Sequence, residues 1–396
     1  MIRAEPAGST RAAQRFIIAP RAGTTDVRWP LIAPDGGSVI FAAGTRLYRR
    51  AIDSFDATAI AGTHGAGVAM LSPDGRSLAF FADGKLKRVS LAGGDPIVIT
   101  EASASMPGAC WCFDDLILFS RAWATGLSAV PATPGGGPVK QLTTPDASKN
   151  ERAHWRPQPL PGGRRVLFSI MMAATGVNDS QIAVLDLDTG KYHALFPGTD
   201  GLYLASGHVL YFHAGAWHIV PFEVASEHVT GEPVAVLPDA NGVMPDGGFS
   251  GHLVAAASGI LAYQPGPTVP RRQLAWIDAK GAAQPVQLPA HPVQSASLSP
   301  DGKRVAMTRV EGGTYEMWIA DLTRLTEDRL DVKGSNLMAT WGPRGEWLAF
   351  VSERKGEYDA YVARPDGSGE RALLKQDYDE QPLAWTHGGN RVLVKE

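Results

Sequence analysis

The stretch SPDGRSLAFF (Ser72–Phe81) decides the fold of this chain of 396 residues. Its Pro-Asp-Gly sequence is typical of a hairpin turn, because proline presets φ and glycine adopts the left-handed conformation that closes the turn. The residues after the turn alternate with period two, so Leu78 and Phe80 lie on one face of a predicted strand and Ala79 and Phe81 on the other. Both faces are apolar, which predicts a strand in a sheet that is covered on both sides.

This turn recurs along the whole chain, at intervals of about 40 to 50 residues, a period typical of propeller blades and helical arrays. The copies, clear and degenerate, are Pro34-Asp35-Gly36, Ser72–Gly75, Phe113-Asp114-Asp115, Pro161–Gly163, Ser206-Gly207, Ser258-Gly259, Ser299–Gly302, Gly342–Gly345 and Thr386–Gly389. No window shows sustained helical periodicity, and 44 glycines interrupt the chain, so helical repeats are excluded.

Each repeat contains four predicted strands. In the second repeat, Asp83-Gly84 leads into Lys85–Ser90, and Ala92-Gly93-Gly94 leads into Pro96–Thr100. Four antiparallel strands per repeat are the blade of a β-propeller, in which stacking around an axis covers both faces of each sheet. We therefore predict an all-β chain that forms a single propeller of four-stranded antiparallel blades.

The number of blades is predicted to be eight, with seven or nine possible if a degenerate copy is miscounted. The ninth copy, Leu383–Val394, supplies only two strands. Arg15–Pro20 (RFIIAP) is the only strand-like segment before the first repeat, and we expect it to close the ring by pairing with the C-terminal strands. The domain prediction is a flexible N-terminal segment, residues 1–14, followed by the propeller, residues 15–396.

Composition limits the partners of the chain. Lys plus Arg total 37 and Asp plus Glu total 40, a net charge of −3, which argues against a nucleic-acid partner. No run of 18 apolar residues exists, so we expect no direct membrane insertion. The N-terminus lacks the apolar segment of a secretory signal. The sequence does not determine the cellular compartment of the protein. We expect an extracytoplasmic compartment if the chain is part of a longer exported or membrane-anchored protein.

The repeats resemble those of TolB-type (WD-like) propellers over nearly the whole chain. Several stretches also resemble the propeller attached to bacterial membrane-anchored serine/threonine kinases, namely Gly62–Ala66 with Leu71–Gly94, Gly207–Tyr211, Val220–Phe222 with Thr230–Pro233, and Gln273–Trp276. This chain departs from that family in having neither a kinase domain nor a membrane helix. The resemblance implies a bacterial sensing or interaction module, linked to a kinase or another signalling domain in a larger chain.

No catalytic motif is recognisable. The nearest approach to a G-x-S-x-G nucleophile turn is Gly248–His252, which lacks the final glycine and the strand-turn-helix context. The chain has no H-E-x-x-H motif, no P-loop and no kinase catalytic motif.

Metal and cofactor binding are not expected either. His208, His213 and His218 would be spread along a hairpin and would not converge on one ion. Cys110 and Cys112 offer only two ligands, fewer than a structural zinc site needs. We expect the two cysteines to be small buried side chains.

The predicted binding residues lie at the mouth of the central channel, in loops that lead into the innermost strands. They combine cations, carboxylates, an imidazole and aromatic rings, as recognition sites do. The candidates are Glu151, Arg152, His154, Trp155, Arg156, Tyr378, Asp379, Glu380, Asp26 and Arg28. The alternative for each residue taken alone is a solvated loop side chain, because surface loops are generally polar.

Two functions remain open from the sequence. The first is a non-catalytic module that binds a protein, a small molecule or a glycan at the propeller mouth. The second is an enzyme with its active site in the channel funnel, such as a carbohydrate lyase or hydrolase. Its only motivation is the polar stretch Glu151–Arg156, in which Glu151 and His154 could perform acid-base chemistry.

Overall fold

The computed structural model describes residues 27–102, 108–122, 124–172, 176–238, 253–256, 258–263, 271–311, 314–354, 358–374 and 380–395. Within these ranges the chain consists of antiparallel strands, with one short 3-10 helix at Ala147–Lys149 and no α-helix. None of the described residues forms a helix with the length and apolarity needed to cross a membrane.

The first three sheets each have four strands, joined in chain order. Sheet 1 contains β1 (Val27–Ile32), β2 (Ser38–Ala43), β3 (Arg46–Ala51) and β4 (Ala57–Ala59). Sheet 2 contains β5 (Ala69–Leu71), β6 (Ser77–Ala82), β7 (Lys85–Ser90) and β8 (Ile97–Glu101). Sheet 3 contains β9 (Ala109–Trp111), β10 (Leu116–Ser120), β11 (Leu127–Pro131) and β12 (Lys140–Gln141).

The next two sheets are longer. Sheet 4 contains β13 (Glu151–Pro159), β14 (Arg165–Met172), β15 (Gly176–Asp186) and β16 (Tyr192–Pro197). Sheet 5 contains β17 (Thr199–Leu204), β18 (His208–His213), β19 (Ala216–Glu223), β20 (His228–Val229) and β21 (Val234–Val236). Both β20 and β21 pair with β19, so they share one edge of that strand.

The sixth repeat is divided into two hairpins. One hairpin pairs β22 (Leu253–Ala255) with β23 (Leu261–Tyr263), and the other pairs β24 (Ala275–Ile277) with β25 (Ala283–Pro285). The prediction of one four-stranded sheet in this repeat is therefore wrong for the described residues. The strands are only three residues long, and β24 is exposed at all three positions, so little burial holds the two hairpins together.

The last three repeats follow the predicted pattern. Sheet 7 contains β26 (Val293–Leu298), β27 (Arg304–Glu311), β28 (Thr314–Asp321) and β29 (Thr326–Arg329). Sheet 8 contains β30 (Ser335–Trp341), β31 (Leu348–Glu353), β32 (Tyr358–Ala363) and β33 (Arg371–Ala372). Sheet 9 contains only β34 (Gln381–Trp385) and β35 (Val392–Lys395), as predicted for the ninth copy.

The turn prediction is confirmed, because each of the nine predicted turns joins the first two strands of its repeat. In the Ser-Pro-Asp-Gly copies, Gly75 and Gly302 have φ angles of 68° and 70°, the left-handed conformation that the motif implies. Strand β6 is buried at every residue. Its Leu78 packs in a cluster with sheet 1, and its Phe81 packs in a cluster with sheet 3. Sheet 2 is thus covered on both faces, as in a β-propeller.

The first strands of neighbouring repeats contact each other in chain order. These contacts run from β1 to β5, β9, β13, β17 and β22, and separately from β26 to β30 and β34. Strand β1 also contacts β22 and β23. The segment Arg15–Pro20, on which the predicted closure depends, lies outside the described residues.

Several innermost strands carry a bulge with a left-handed residue that is not glycine. The pairing is irregular in β1, β13, β17 and β30, at Trp29, Arg156, Asp200 and Met338 respectively, with φ between 52° and 56°. Bulges re-aim side chains and are common beside functional sites. The two bulges that carry charge, at Arg156 and Asp200, are on adjacent sheets.

Candidate functional site

The polar stretch Glu151–Arg156 lies within strand β13, so the expectation that these candidates belong to a loop leading into an innermost strand is wrong. The 3-10 turn ends at Lys149, and β13 begins at Glu151 and pairs with β14. The polar composition is misleading because Glu151 and His154 are buried and satisfy each other inside the sheet.

Glu151 and His154 belong to a closed hydrogen-bond network. The Oε2 atom of Glu151 accepts hydrogen bonds from Tyr192 Oη at 2.7 Å, from the Asp146 backbone N–H at 2.8 Å and from His154 Nε2 at 3.1 Å. The other ring nitrogen, His154 Nδ1, lies 2.8 Å from Thr143 Oγ1. Because the carboxylate only accepts, the network assigns the proton to Nε2 and lets the Thr143 hydroxyl donate to Nδ1.

The surroundings of His154 favour its neutral form. Its side chain is fully buried, with the Phe168 ring centroid at 5.1 Å and the Tyr192 ring centroid at 4.8 Å. Burial lowers the pKa of His154, and the opposing effect of Glu151 is smaller. Burial and Glu151 together raise the pKa of Tyr192. The network therefore ties β13 to the preceding loop and to β16, and its reactive atoms already have partners.

Arg156 and Asp200 form a second buried arrangement, between the innermost strands of sheets 4 and 5. The Arg156 Nε atom contacts Asp200 Oδ1, and the guanidinium carbon lies 5.5 Å from the centroid of the Trp155 ring. The Asp200 backbone N–H donates to Ser169 Oγ at 2.9 Å. Burial raises the pKa of Asp200 more than Arg156 lowers it.

Two polar groups on the residues next to Arg156 and Asp200 in sequence have no hydrogen-bond partner among the described residues. They are the indole Nε1 of Trp155 and the hydroxyl Oγ1 of Thr199, and both side chains are fully buried. Buried polar groups are normally hydrogen-bonded to protein, water or ligand, so these two groups are candidate contacts for a bound water or ligand. The expectation that Trp155 offers an aromatic surface is wrong, since its ring has no exposed area.

Arg152 reaches a different part of the chain. Its Nη1 atom lies 3.5 Å from Glu353 Oε1, and its guanidinium carbon lies 5.1 Å from the Tyr358 ring centroid. Glu380 is buried beside the same strand, and its backbone N–H donates to the Tyr358 carbonyl at 2.7 Å. Two predicted residues, Arg152 and Glu380, thus meet around Tyr358, although they are far apart in sequence.

The remaining predicted residues cannot be placed in this site. Asp26, Tyr378 and Asp379 lie outside the described residues, and only the backbone of Arg28 is described, within β1. Sequence reasoning missed Thr199, Asp200, Glu353 and Tyr358. No local signal marks them, because their roles come from contacts between sheets and, for Asp200, from a left-handed backbone at a residue other than glycine.

The other sequence candidates are placed as follows. Cys110 and Cys112 are buried free thiols with their sulfurs 3.3 Å apart, which confirms them as small buried side chains. His208 and His218 lie on paired strands β18 and β19 but in different rungs, opposite Pro221 and Tyr211. No group of three metal-ligating side chains comes together in the part of the chain that the structure describes. The stretch Gly248–His252 lies outside that part.

A surface cleft of about 510 Å³ lies away from these residues, between sheets 7 and 8. Its lining includes Arg304, Trp347, Arg364 and Asp366. The Arg364 guanidinium carbon lies 5.4 Å from the Trp347 ring centroid. This cleft is on the side of the hairpin turns and is not part of the predicted mouth.

No family model and no curated protein sequence matches this chain. Among solved structures, the β-propeller domain of Cps50 (Swd1) from Myceliophteria thermophila is 13% identical and covers 83% of this chain and 93% of its own, with a TM-score of 0.41. A putative TolB from Agrobacterium tumefaciens is 11% identical over 88% of this chain and 80% of its own, with a TM-score of 0.21. An oligogalacturonate lyase in complex with manganese is 11% identical over 85% of this chain and 76% of its own, with a TM-score of 0.36.

Proposed function

We propose that this chain is a non-catalytic β-propeller module that binds a ligand, either a protein or a small molecule such as a glycan. The observation that carries the proposal is the closed network around His154. Glu151 and His154 are the acid-base pair that the sequence analysis singles out, and both are buried with their reactive atoms engaged. A general acid or base must reach a substrate, which these groups do not do.

The proposed binding location is the inner end of sheets 4 and 5, around Arg156 and Asp200. The Arg156 guanidinium and the Asp200 carboxylate are in contact there, and the residues next to them in sequence supply an indole N–H (Trp155) and a hydroxyl (Thr199) that have no partner among the described residues. The left-handed backbone at both charged residues costs free energy, and such strain is characteristic of ligand sites. A ligand with hydroxyl or amide groups, such as a sugar or a peptide, matches this chemistry.

Thermal stabilisation of the purified chain by short peptides, oligosaccharides and divalent metals tests the proposal. A ligand at 100 times its Kd adds about 2.7 kcal/mol to the free energy of unfolding, which is enough to detect. We expect a peptide or a sugar to stabilise the wild-type chain and to lose its effect in Asp200→Asn. The matched control is Asp95→Asn, because Asp95 is an exposed aspartate before β8.

The variant Trp347→Ala separates this location from the cleft between sheets 7 and 8. Loss of ligand stabilisation in Trp347→Ala, with retention in Asp200→Asn, would move the binding site to the cleft. Turnover of a peptide or a glycan by the wild-type chain would contradict the non-catalytic proposal. The alternative of a funnel enzyme would then need an acid and a base other than Glu151 and His154.

The predictions of a sensing role and of the number and closure of the blades are also part of this proposal. The resemblance to kinase-attached propellers supports a sensing role within a larger signalling chain, in which ligand binding changes the output of the attached domain. Attaching the chain to a reporter kinase domain and measuring a ligand-dependent change in phosphorylation would test it. The count of eight blades and closure by the terminal strands also stay predictions, since Arg15–Pro20 lies outside the described residues.

A further inference from the structure

We propose that the cleft between sheets 7 and 8 is a second binding site, and that its ligand is an acidic peptide segment of a partner protein. The cleft shares no lining residue with the location around Arg156 and Asp200, so the two sites can bind different ligands. Its size, its arginines and the fixed position of its tryptophan all favour an anionic ligand with an extended shape.

The cleft is large enough for a short stretch of peptide and is open to solvent. Its volume is about 510 Å³, within the range of roughly 300 to 1,000 Å³ that is typical of ligand pockets. Its walls contain Arg304 at the start of β27 and Trp347 directly after the eighth turn. Arg364 and Asp366, in the turn between β32 and β33, complete them. The packing of two neighbouring sheets therefore sets the shape of the cleft.

Two arginines beside the cleft have no acidic partner among the described residues. The guanidinium carbons of Arg364 and Arg371 lie 5.4 Å and 6.0 Å from the centroid of the Trp347 ring. Neither guanidinium forms an ion pair with a carboxylate in the part of the chain that the structure describes. Guanidinium groups bind carboxylates through two parallel hydrogen bonds and also stack on aromatic rings. These two arginines can therefore bind a carboxylate that comes from outside the chain.

The two carboxylates in the lining of the cleft already have contacts of their own. Glu346 Oε2 lies 3.9 Å from Arg344 Nε. Asp366 Oδ1 accepts a hydrogen bond from the Ser368 backbone N–H at 2.9 Å, within one turn. Hydrogen bonds from Ser368 are the main reason why the pKa of Asp366 is lowered, and the charge of Arg364 has a smaller effect. The lining carboxylates thus do not take the place of an external ligand at Arg364.

Two glycines in the walls leave room for the tryptophan ring and for one guanidinium. A Cβ added to Gly369 would lie 3.0 Å from Cη2 of Trp347, and a Cβ added to Gly345 would lie 3.2 Å from Nη2 of Arg304. The same Arg304 Nη2 donates a hydrogen bond to the Gly345 carbonyl at 2.9 Å. Both glycines have left-handed backbones, with φ of 67° and 69°. The half-buried Trp347 ring is thus held in one position, which lowers the cost of stacking a ligand on it.

A second cleft of similar size shows that the fold does not impose this chemistry. It lies between sheets 2 and 3, has a volume of about 500 Å³ and is also lined by turn residues. It contains an aromatic ring, Phe113, and a single arginine, Arg88. The other charged residues of its lining are Asp74, Asp114 and Asp115. This cleft is acidic, so only the cleft between sheets 7 and 8 matches an acidic peptide.

Isothermal titration calorimetry with two unlabelled peptides tests the proposal. Hexaglutamate is the acidic probe, and hexaglutamine is the uncharged probe of the same length. We expect hexaglutamate to bind the wild-type chain saturably, more weakly at high salt, and hexaglutamine not to bind. Arg364→Gln and Trp347→Ala should each raise the Kd of hexaglutamate about tenfold or more, because each removes one contact with the ligand. Absence of saturable hexaglutamate binding would overturn the proposal.

Two matched variants separate binding in the cleft from a general attraction between charges. Arg46→Gln removes the same charge at an exposed position of β3, and Phe113→Ala removes the aromatic ring of the acidic cleft. We expect both variants to keep the wild-type Kd for hexaglutamate. Equal weakening by Arg46→Gln and Arg364→Gln would overturn the proposal, since the attraction would then not be specific to the cleft.

The variant Asp200→Asn distinguishes the cleft from the location around Arg156. We expect it to bind hexaglutamate as the wild type does, whether or not it loses an uncharged ligand. Weaker binding in Asp200→Asn, with unchanged binding in Arg364→Gln, would place the acidic peptide at the other location and overturn the proposal. Tighter binding of citrate than of hexaglutamate would also overturn it, because the cleft would then recognise a small carboxylate and not a peptide.

Discussion

At the scale of single residues, the ion pair of Arg156 and Asp200 is the centre of the proposed binding location. Arg156→Met leaves the Asp200 carboxylate buried without its cation, so we expect a loss of about 3 to 5 kcal/mol in the free energy of unfolding. The double variant Arg156→Met, Asp200→Leu also removes the unpaired buried carboxylate. We therefore expect it to recover most of the lost free energy of unfolding. Urea denaturation of the wild type and both variants gives the three values. Equal destabilisation by the single and the double variant would contradict a buried pair.

His154 makes the stability of the chain depend on pH in a predictable direction. Burial lowers its pKa in the folded state, so below its ordinary value of 6.5 the unfolded chain binds more protons than the folded chain. The free energy of unfolding is therefore highest well above pH 6.5 and decreases as the pH falls through and below that value. In His154→Gln the dependence should be flatter, which thermal melts at several pH values would show. A slope that is identical in the variant would contradict the burial of a neutral imidazole.

The contacts of the candidate residues were only partly predictable from the sequence. The sequence indicated Arg152, Arg156 and Glu380 as candidates because of their predicted position in loops that lead into the innermost strands. It could not show that Asp200 pairs with Arg156, since these residues come from different repeats and meet only when two sheets pack. It misjudged Trp155 and His154 as loop residues, because polar and aromatic side chains are ambiguous where burial is decided by neighbouring sheets.

At the scale of elements, the hairpin turns join the first two strands of each repeat, and the second turn packs against the first. Gly75→Ala and Gly302→Ala change the same motif, at φ angles of 68° and 70°. The left-handed conformation alone should cost about 1 to 2 kcal/mol in each variant. Gly75→Ala should cost more, because its methyl group would lie 2.9 Å from Pro34 Cδ, a rigid ring on the neighbouring turn. Equal urea midpoints for the two variants would contradict the packing of successive turns.

The strands were largely predictable from the same motif. The predicted strand Lys85–Ser90 matches β7, and the predicted Tyr358–Ala363 matches β32, because turn residues delimit both ends of each strand. The division of the sixth repeat was not predictable. The turn of this repeat, Ser258-Gly259, lacks the proline and aspartate of the clear copies. The position of the later strands of the repeat depends on contacts with sheet 7.

At the scale of the whole molecule, Arg152 joins two parts of the chain that are about 200 residues apart in sequence. Its contacts with Glu353 and Tyr358 connect sheet 4 to sheet 8. We expect Arg152→Met to cost about 1 to 3 kcal/mol, as for a buried group that loses its partner. Hydrogen exchange should increase in residues 348–363 and stay unchanged in residues 77–90.

Lys87→Met is the matched control for Arg152→Met. It removes the ion pair of Lys87 with Asp83, which lies within one hairpin and leaves Asp83 exposed. Such a pair contributes little to stability, so we expect a change well below that of Arg152→Met. Similar effects of the two substitutions would show that Arg152 does not connect distant sheets.

The central claim is that the chain binds a ligand at Arg156 and Asp200 and does not transform it. The most direct measurement combines thermal-shift titration of the wild type and Asp200→Asn with mass analysis of the same samples after long incubation. We predict that a peptide or an oligosaccharide raises the Tm of the wild type, that Asp200→Asn abolishes this shift, and that the ligand is recovered intact. Recovery of a cleaved product from the wild type, lost in Glu151→Gln or His154→Gln, would contradict the account.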